Sequence, residues 1–270
     1  MQSFESIIRV ARSYDHAGDH HDHPANSLWS RVGRQLVARA GVRPGMRVLD
    51  AGCGSGASAI PAAQRVGPEG TVVALDLSPR LLAIGRARAR AHRLRHLRFI
   101  RDDLRTPPVP DGSQDVALCG LALHLVPNLA EGVQALWATL RPGGTLAIAV
   151  LGREPFAPGH QILMEALQRE GVSPDPWWPW DRLSTCAAVR ATFAAAGLPE
   201  PTIDVEAGSH PIPTPEAWWM LVLGSDYRSA IDRLTPDAQE RVRRDTLATL
   251  AERAIGWVRS EVLYVTARKP

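Results

Sequence analysis

Residues 48–56 read VLDAGCGSG, a short apolar stretch that ends in an acidic residue and enters a glycine-rich turn. The apolar residues before Asp50 predict a buried strand, and a helix is predicted from the turn to about Val66. Glycines in such a turn let the backbone adopt positive φ values and approach a ligand closely. A strand joined to a helix in this way is the repeating unit of a parallel sheet, so the segment favours an α/β fold, although a glycine turn alone is a weak signal.

The alternation of strand and helix continues along the chain. Strands are predicted at 47–51, 71–75, 97–101, 115–119 and 145–151, and helices at 28–40, 79–93 and 129–140. Because parallel strands are joined by right-handed helical crossovers, the pattern predicts a doubly wound, Rossmann-like sheet. Residues 1–28 precede it as a polar, irregular segment.

The regular pattern breaks after Leu151. A helix at 187–196 and strands at 202–205 and 262–267 return the chain to the sheet. Between them lie two stretches that we expect to form a mostly helical cap over the carboxyl edge of the sheet. The predicted units are an N-terminal lid and helix at 1–45, a core at 46–151, 184–207 and 261–270, and cap insertions at 152–183 and 208–260.

Composition excludes several classes of protein. The 270 residues are 45% hydrophobic and 22% charged, which argues against a disordered chain. The three cysteines form no CxxC pair, so a disulfide framework or zinc knuckle is not expected. No apolar run has the length of a membrane span, and the N-terminus lacks a signal-peptide core. We therefore expect a cytoplasmic protein with no membrane partner.

Two further acidic positions and one turn follow the glycine loop in order. Asp76 closes the second predicted strand, where a carboxylate can accept hydrogen bonds from both hydroxyls of a ribose. Asp102 and Asp103 follow the third strand, where a carboxylate can accept the exocyclic amine of an adenine; the spacing favours Asp103. Residues 140–144 read LRPGG and are predicted to form a tight turn before the fifth strand.

In this order the features resemble the class I S-adenosylmethionine (SAM)-dependent methyltransferases over residues 44–151. The segment PDGSQD at 110–115 is similar to the small-molecule branch, although Gln114 stands where that family usually has Phe. The segment VARSYD at 10–15, with Trp29 further on, resembles the ubiquinone/menaquinone-biosynthesis C-methyltransferases. The C-terminal third does not follow those enzymes.

The resemblance implies SAM as the cofactor and assigns residues to its methionine half. Gly52 and Gly54 would contact the methionine, and Asp50 would help to hold its ammonium group. Gly120 would line the sulfonium end, and Tyr14 would close over the carboxylate. For Asp50, a purely structural role at the helix N-terminus is the alternative.

The resemblance also assigns the nucleoside half. Asp76 would hold the ribose and Leu77 would pack on the adenine, while Asp103 would accept the adenine amine and Leu104 would offer its backbone N–H. A loop-capping role is the alternative for Asp76.

His124 follows the fourth strand and is the candidate general base, because histidine titrates near neutral pH. The alternative is a histidine packed beneath the cap. We expect Cys53 and Cys119 to be small buried residues rather than catalytic thiols. No resident metal is predicted.

Three groups of residues allow more than one interpretation. The histidines at 16, 20, 21 and 23 could bind a metal through His20, Asp22 and His23, carry a base on a lid, or be solvated. The tryptophans at 177, 178, 180, 218 and 219 could wall a pocket for a flat acceptor or form the core of the cap. The arginines at 80, 86, 88, 90, 93, 95 and 98 could face phosphates or solvent.

The favoured function is methyl transfer by in-line displacement to a small aromatic or hydrophobic metabolite, quinone-like or from secondary metabolism. A nucleic-acid methyltransferase is an alternative, but residues 119–122 lack the Asn/Asp-Pro-Pro-aromatic run that grips a base amine. We therefore expect no nucleic-acid partner. A non-methylating cyclase of the same fold, or a SAM-binding regulatory protein, is the other alternative. The oligomeric state is left open.

Overall fold

The computed structural model describes residues 2–172 and 179–270. Its strands are β1 (Arg47–Ala51), β2 (Thr71–Asp76), β3 (Leu97–Arg101), β4 (Gln114–Gly120), β5 (Leu140–Leu151), β6 (Thr202–Glu206), β7 (Ser209–Pro211), β8 (Trp257–Arg259) and β9 (Val262–Arg268). Its helices are α1 (Gln2–His21), α2 (Ser27–Arg39), α3 (Ala59–Val66), α4 (Pro79–Ala91), α5 (Leu129–Ala138), α6 (Gly159–Arg169), α7 (Cys186–Ala195), α8 (Pro215–Leu223), α9 (Arg228–Ile231) and α10 (Pro236–Glu252).

Seven strands form the central sheet in the order β3-β2-β1-β4-β5-β9-β6. The first five strands are parallel, and β9 runs antiparallel between β5 and β6. From β1 the chain adds β2 and β3 on one side and then β4 and β5 on the other. This change of side between β1 and β4 opens a crevice at the carboxyl ends of these two parallel strands. The predicted doubly wound fold is confirmed.

Alternate residues of each strand enter different apolar layers. In β1, Val48 packs with α2 and α3, whereas Leu49 belongs to the layer that contains α5 and α7. This alternation follows from the two-residue period of a strand, and both side chains are fully buried. The two layers fix β1 firmly, so the glycine turn that follows it has a defined position at the sheet edge.

The N-terminal segment differs from its prediction as an irregular stretch, because α1 occupies nearly all of it. Residues Val10, Tyr14, Ala17 and His21 recur at helical spacing on the covered side of α1, a pattern that the polar composition obscures. The helix packs on α4, α8 and α9, so tertiary contacts stabilise it.

The predicted turn at 140–144 also differs, since β5 already begins at Leu140. Its pairing with β4 shifts register between Gln114 and Val116, and Gly143 takes a φ of +77° inside this irregular stretch. The glycine therefore permits a bulge that lets the strand start early.

The two C-terminal excursions share an aromatic cluster. Phe156, Trp180, Trp218 and Tyr227 contact one another with ring centroids 5.1–6.3 Å apart. Trp218 and Trp219 are 0% and 5% exposed, which favours the core interpretation for these two tryptophans. Trp177 and Trp178 lie outside the described residues. None of the described helices is long and apolar enough to cross a membrane.

Candidate active site

A cleft opens at the carboxyl ends of β1, β2 and β4 and is covered by α1 and α2. It encloses about 1090 Å³, its open mouth included. Eight of the predicted cofactor residues border it: Tyr14, Gly52, Gly54, Asp76, Leu77, Asp103, Leu104 and Gly120. The structure therefore brings residues from α1 and from four loops of the sheet to one site.

The glycine loop needs glycine for two separate reasons. Gly52 and Gly54 have φ values of +71° and +52°, a region that side chains with a Cβ atom disfavour. A Cβ atom on Gly52 would also lie 2.3 Å from the Cβ of Ala122. The loop thus passes close to the segment after β4, which narrows the floor of the cleft.

Asp76 joins the second strand to this loop. Its Oδ2 accepts a hydrogen bond from the Gly54 N–H at 2.8 Å, and its Oδ1 accepts one from the Ser78 N–H at 2.9 Å. Each carboxylate oxygen can accept more than one hydrogen bond, so both retain capacity for ribose hydroxyls. Burial raises the pKa of Asp76.

Asp50 lies beneath the glycine loop and is fully buried. Its Oδ2 accepts a hydrogen bond from the Ser58 hydroxyl at 2.7 Å, while Oδ1 has no partner among the described residues. Burial raises the pKa of this carboxyl to about 7. Ser58 itself borders the cleft, so Asp50 sits directly behind the lining.

Asp103 is held by Arg105 rather than pointing freely into the cleft. The guanidinium donates to Oδ2 of Asp103 from Nη2 at 2.7 Å and from Nε at 3.1 Å. Burial alone would raise the pKa of Asp103, but the hydrogen bonds from Arg105 outweigh it and the pKa is lowered. Asp102 accepts the backbone N–H of Asp103 at 2.9 Å, and both acids border the cleft.

His124 is 3% exposed, and its Nε2 lies 3.3 Å from Oδ2 of Asp226. The same carboxylate accepts hydrogen bonds from the Tyr14 hydroxyl and, at 2.9 Å, from the Trp180 indole. Burial alone would raise the pKa of Asp226, but these hydrogen bonds lower it, so the group is a carboxylate. His124 is not among the residues that border the cleft, whereas the next residues along the chain, Leu125 and Val126, do border it.

The histidine-rich patch docks α1 onto the C-terminal excursion. His16 lies 2.6 Å from Asp232, and Nδ1 of His21 lies 2.9 Å from the Gly224 carbonyl. His23 caps the short 3₁₀ helix Pro24–Asn26. No group of three or more His, Cys, Asp or Glu side chains that could hold a metal ion occurs in the described ranges.

Two arginines of the predicted cluster have acidic partners. Arg80 and Arg88 of α4 pair with Asp19 near the end of α1 and with Asp22 just after it.

Burial raises the pKa of the Cys119 thiol to about 12, and that of Cys53 also rises, which disfavours a nucleophilic thiolate at either position.

His21, Trp29 and Asp226 have no individual role that the sequence alone predicts. His21 and Trp29 border the cleft and stack on each other, with ring centroids 6.0 Å apart and planes inclined by 10°. The spacing of His21 from Tyr14 could have placed it on the same face of α1. Asp226 carries no such signal, because its importance depends on chain segments that are distant in sequence.

Sequence comparison connects this site to known enzymes. A family model described as a methyltransferase domain matches residues 48–144. The chain is 31% identical over 190 residues to the aklanonic acid methyltransferase DauC of Streptomyces sp. strain C5, covering 66% of this chain and 83% of that protein. It is 29% identical over 261 residues to the nocamycin O-methyltransferase of Saccharothrix syringae, covering 95% and 81%.

A third relative is the demethylmenaquinone methyltransferase of Listeria welshimeri, 29% identical over 161 residues. The match covers 60% of this chain and 66% of the relative, just under two thirds of its length. This match supports the predicted resemblance to the menaquinone-biosynthesis methyltransferases.

Solved structures share the fold. The YcgJ protein of Bacillus subtilis superposes with a TM-score of 0.59 at 20% identity, covering 88% of this chain and 98% of that one. The [4+2]-cyclase SpnF superposes with a TM-score of 0.57 at 20% identity, covering 89% and 80%. The matched methyltransferase domain and the relatives confirm the predicted family and its cofactor: the chain belongs to the S-adenosylmethionine-dependent methyltransferases.

Proposed function

We propose that this chain methylates a small, hydrophobic, aromatic or quinone-like metabolite. The main support for this proposal is that the cleft has a polar side and an apolar side. The glycine loop, Asp76 and Asp103 supply its polar side, and the segment after β4 supplies apolar side chains. These are Leu121, Ala122, Leu125, Val126 and Pro127. Relatives named for aklanonic acid, nocamycin and demethylmenaquinone support a metabolite of this kind.

The polar side holds the cofactor in this proposal. The carboxylate of Asp76 accepts hydrogen bonds from the ribose hydroxyls through the lone pairs that are not used by the N–H groups of Gly54 and Ser78. Leu77 packs on the adenine. The Asp103 carboxylate accepts a hydrogen bond from the adenine amine in addition to those from Arg105. The backbone N–H of Leu104 donates a hydrogen bond to the adenine ring. Gly52, Gly54 and Gly120 let the methionine half lie against backbone. Asp50 attracts its ammonium group from behind Ser58.

The protein contributes alignment and exclusion of water to the reaction. Bound SAM supplies an electrophilic methyl group on a sulfonium. The apolar residues after β4 hold the acceptor against the sulfonium end of the cleft, and α1 covers it from solvent. Pre-organised alignment of this sort is worth roughly 7–11 kcal/mol in favourable cases.

His124 is the proposed base for an acceptor that carries a proton. The ionised Asp226 accepts from Nε2 of His124, which leaves Nδ1 as the basic atom of the ring. Asp226 is then a positioning residue that fixes the tautomer. A positioned base contributes typically 10²–10⁴-fold to the rate.

Nucleic acid is not the acceptor in this proposal. Arg80 and Arg88, two members of the predicted arginine cluster, are paired with Asp19 near the end of α1 and with Asp22 just after it. Such pairing reduces the charge available to phosphates.

The proposal is tested by incubating the full chain with methyl-labelled SAM and a panel of acceptors. The panel contains aklanonic acid, naphthoquinols, phenols, indoles and amines, with transfer RNA as a comparison. Label in a small aromatic product is the expected result. Tight SAM binding with no labelled product would favour a non-methylating protein, and label in the RNA would contradict the proposed acceptor class. The Asp76→Ala variant serves as the cofactor-deficient control.

A further inference from the structure

The indole N–H of Trp29 is a donor with no acceptor. Nε1 is buried and has no hydrogen-bond partner among the residues that the structure describes, and Trp29 borders the cleft. An indole nitrogen can only donate, so a ligand that satisfies it must present an acceptor atom. Leaving a buried donor unpaired is unfavourable, which makes an oxygen of the bound ligand its natural partner.

His21 presents a second ring nitrogen at the same wall. Its Nδ1 lies 2.9 Å from the Gly224 carbonyl, which can only accept, so Nδ1 carries a proton. Nε2 is therefore the free position of the ring. It lies beside the glycine loop, 3.5 Å from where a Cβ atom on Gly54 would be. In the imidazolium form Nε2 is also a donor.

Tyr14 cannot serve as the donor to a ligand anion in this arrangement. Its hydroxyl hydrogen is directed to the buried carboxylate of Asp226. The phenol oxygen then offers only lone pairs to the cleft, and these repel an anion. The family resemblance implies that Tyr14 closes over the carboxylate of the methionine, so another group must donate to that carboxylate.

We propose that Trp29 and His21 together form the subsite for the α-carboxylate of the methionine half of SAM. The subsite rests on the proposed binding of SAM in this cleft. The indole N–H donates to one carboxylate oxygen, and the imidazolium Nε2–H donates to the other. The stacked rings fix the directions of both donors. Asp50, with its unpartnered Oδ1 behind the loop, provides the complementary charge for the ammonium group.

The test compares two ligands on two matched variants of the full chain. Trp29→Phe removes the N–H and keeps an aromatic ring. Trp218→Phe is the control, because its Nε1 is likewise buried without a partner in the described ranges but lies in the aromatic cluster with Phe156 and Tyr227. Calorimetry measures the affinities for SAM and for decarboxylated SAM, which lacks only the carboxylate.

We expect Trp29→Phe to weaken SAM binding about tenfold and to leave the affinity for decarboxylated SAM unchanged. Trp218→Phe should leave both affinities unchanged. Equal weakening of both ligands by Trp29→Phe, or no weakening of either, would overturn the subsite. His21→Asn, which keeps a donor for the Gly224 carbonyl, should show the same selective loss and serves if Trp29→Phe does not fold.

The result is separable from the proposed function. A wild-type chain that methylates an acceptor but shows no selective loss in either variant refutes only the carboxylate subsite. A wild-type chain that does not bind SAM refutes the proposed function itself.

Discussion

The hydroxyl of Tyr14 donates to the carboxylate of Asp226, which joins the first helix of the chain to the loop between α8 and α9. His124 and Trp180 donate to the same carboxylate from two further parts of the chain. One buried anion therefore holds together the lid, the loop after β4 and the cap. Residues of the lid and of the loop after β4 border the cleft.

Replacing Asp226 by Asn should destabilise the fold. The amide has one acceptor oxygen and an NH₂ group that faces other donors, so a buried hydrogen bond is lost. We expect the free energy of unfolding to fall by about 1–3 kcal/mol in a urea titration. Asp232→Asn, at an ion pair with His16 near the surface, should lower it by less than about 1 kcal/mol. Equal effects of the two variants would contradict the central role of Asp226.

The pKa of Asp50 predicts a pH dependence of stability. Burial raises its pKa to about 7 in the folded protein, above the ordinary value near 4 in the unfolded chain. Between these values the folded state binds one proton more than the unfolded state, so stability falls as pH rises from about 4 to 7. Relative to Asp50→Asn, the wild-type chain without ligand should lose roughly 2 kcal/mol between pH 5 and pH 8.

The measurement is the unfolding free energy of both proteins at several pH values. An ammonium group bound near Asp50 favours the carboxylate, so stabilisation by SAM should grow over the same pH range. Parallel pH profiles for the two proteins would show that Asp50 is ionised in the folded chain at all these pH values.

Asp76→Ala should weaken SAM binding. The substitution removes the acceptor proposed for the ribose, and hydrogen bonds to a charged group contribute about 1.5–3 kcal/mol. Calorimetry with SAM measures the loss. Asp115→Ala is the matched control, since Asp115 pairs with Arg141 at the opposite end of β4. An unchanged affinity in Asp76→Ala would remove the ribose assignment.

The ion pair between Asp103 and Arg105 predicts opposite effects of its two members. Asp103→Ala should weaken SAM binding because the acceptor for the adenine amine is lost. Arg105→Ala frees the carboxylate, and the affinity should rise by no more than about 1 kcal/mol, the range for exposed pairs. Asp102→Ala should have less effect than Asp103→Ala. If Asp102→Ala has the larger effect, the adenine assignment belongs to Asp102.

His124→Ala tests the general base. If His124 removes a proton from the acceptor, the turnover number should fall by about 10²–10⁴-fold while SAM affinity is kept. Normal turnover with a lower melting temperature would assign the ring to packing against Asp226 and Trp180.

The sequence predicted the sheet and its glycine loop because each strand carries its own local pattern. Asp76 and Asp103 were predictable for the same reason, since strand ends at one sheet edge must meet. Gln114, which stands where the family usually has Phe, is nevertheless buried at 6% exposure. Its amide donates a hydrogen bond to the Ser113 hydroxyl at 2.7 Å. The missing Phe is thus replaced by a short polar contact.

The lid could not be predicted in the same way. The bond between His21 and Gly224 joins residues 203 positions apart, and the Tyr14–Asp226 bond is of similar span. Such contacts depend on how α1 docks on α8 and α9, and nothing in either segment alone encodes the partner. The histidines made this segment look polar and irregular in the sequence. In the structure, His16 and His21 contact Asp232 and Gly224 and so attach α1 to the C-terminal excursion.

The structure of the chain in complex with S-adenosylhomocysteine tests the central claim most directly. We predict the ribose hydroxyls within hydrogen-bond distance of Asp76, the adenine amine on Asp103, and the homocysteine against Gly52 and Gly54. A nucleoside bound elsewhere, or bound in this cleft without contact to either carboxylate, would contradict the account.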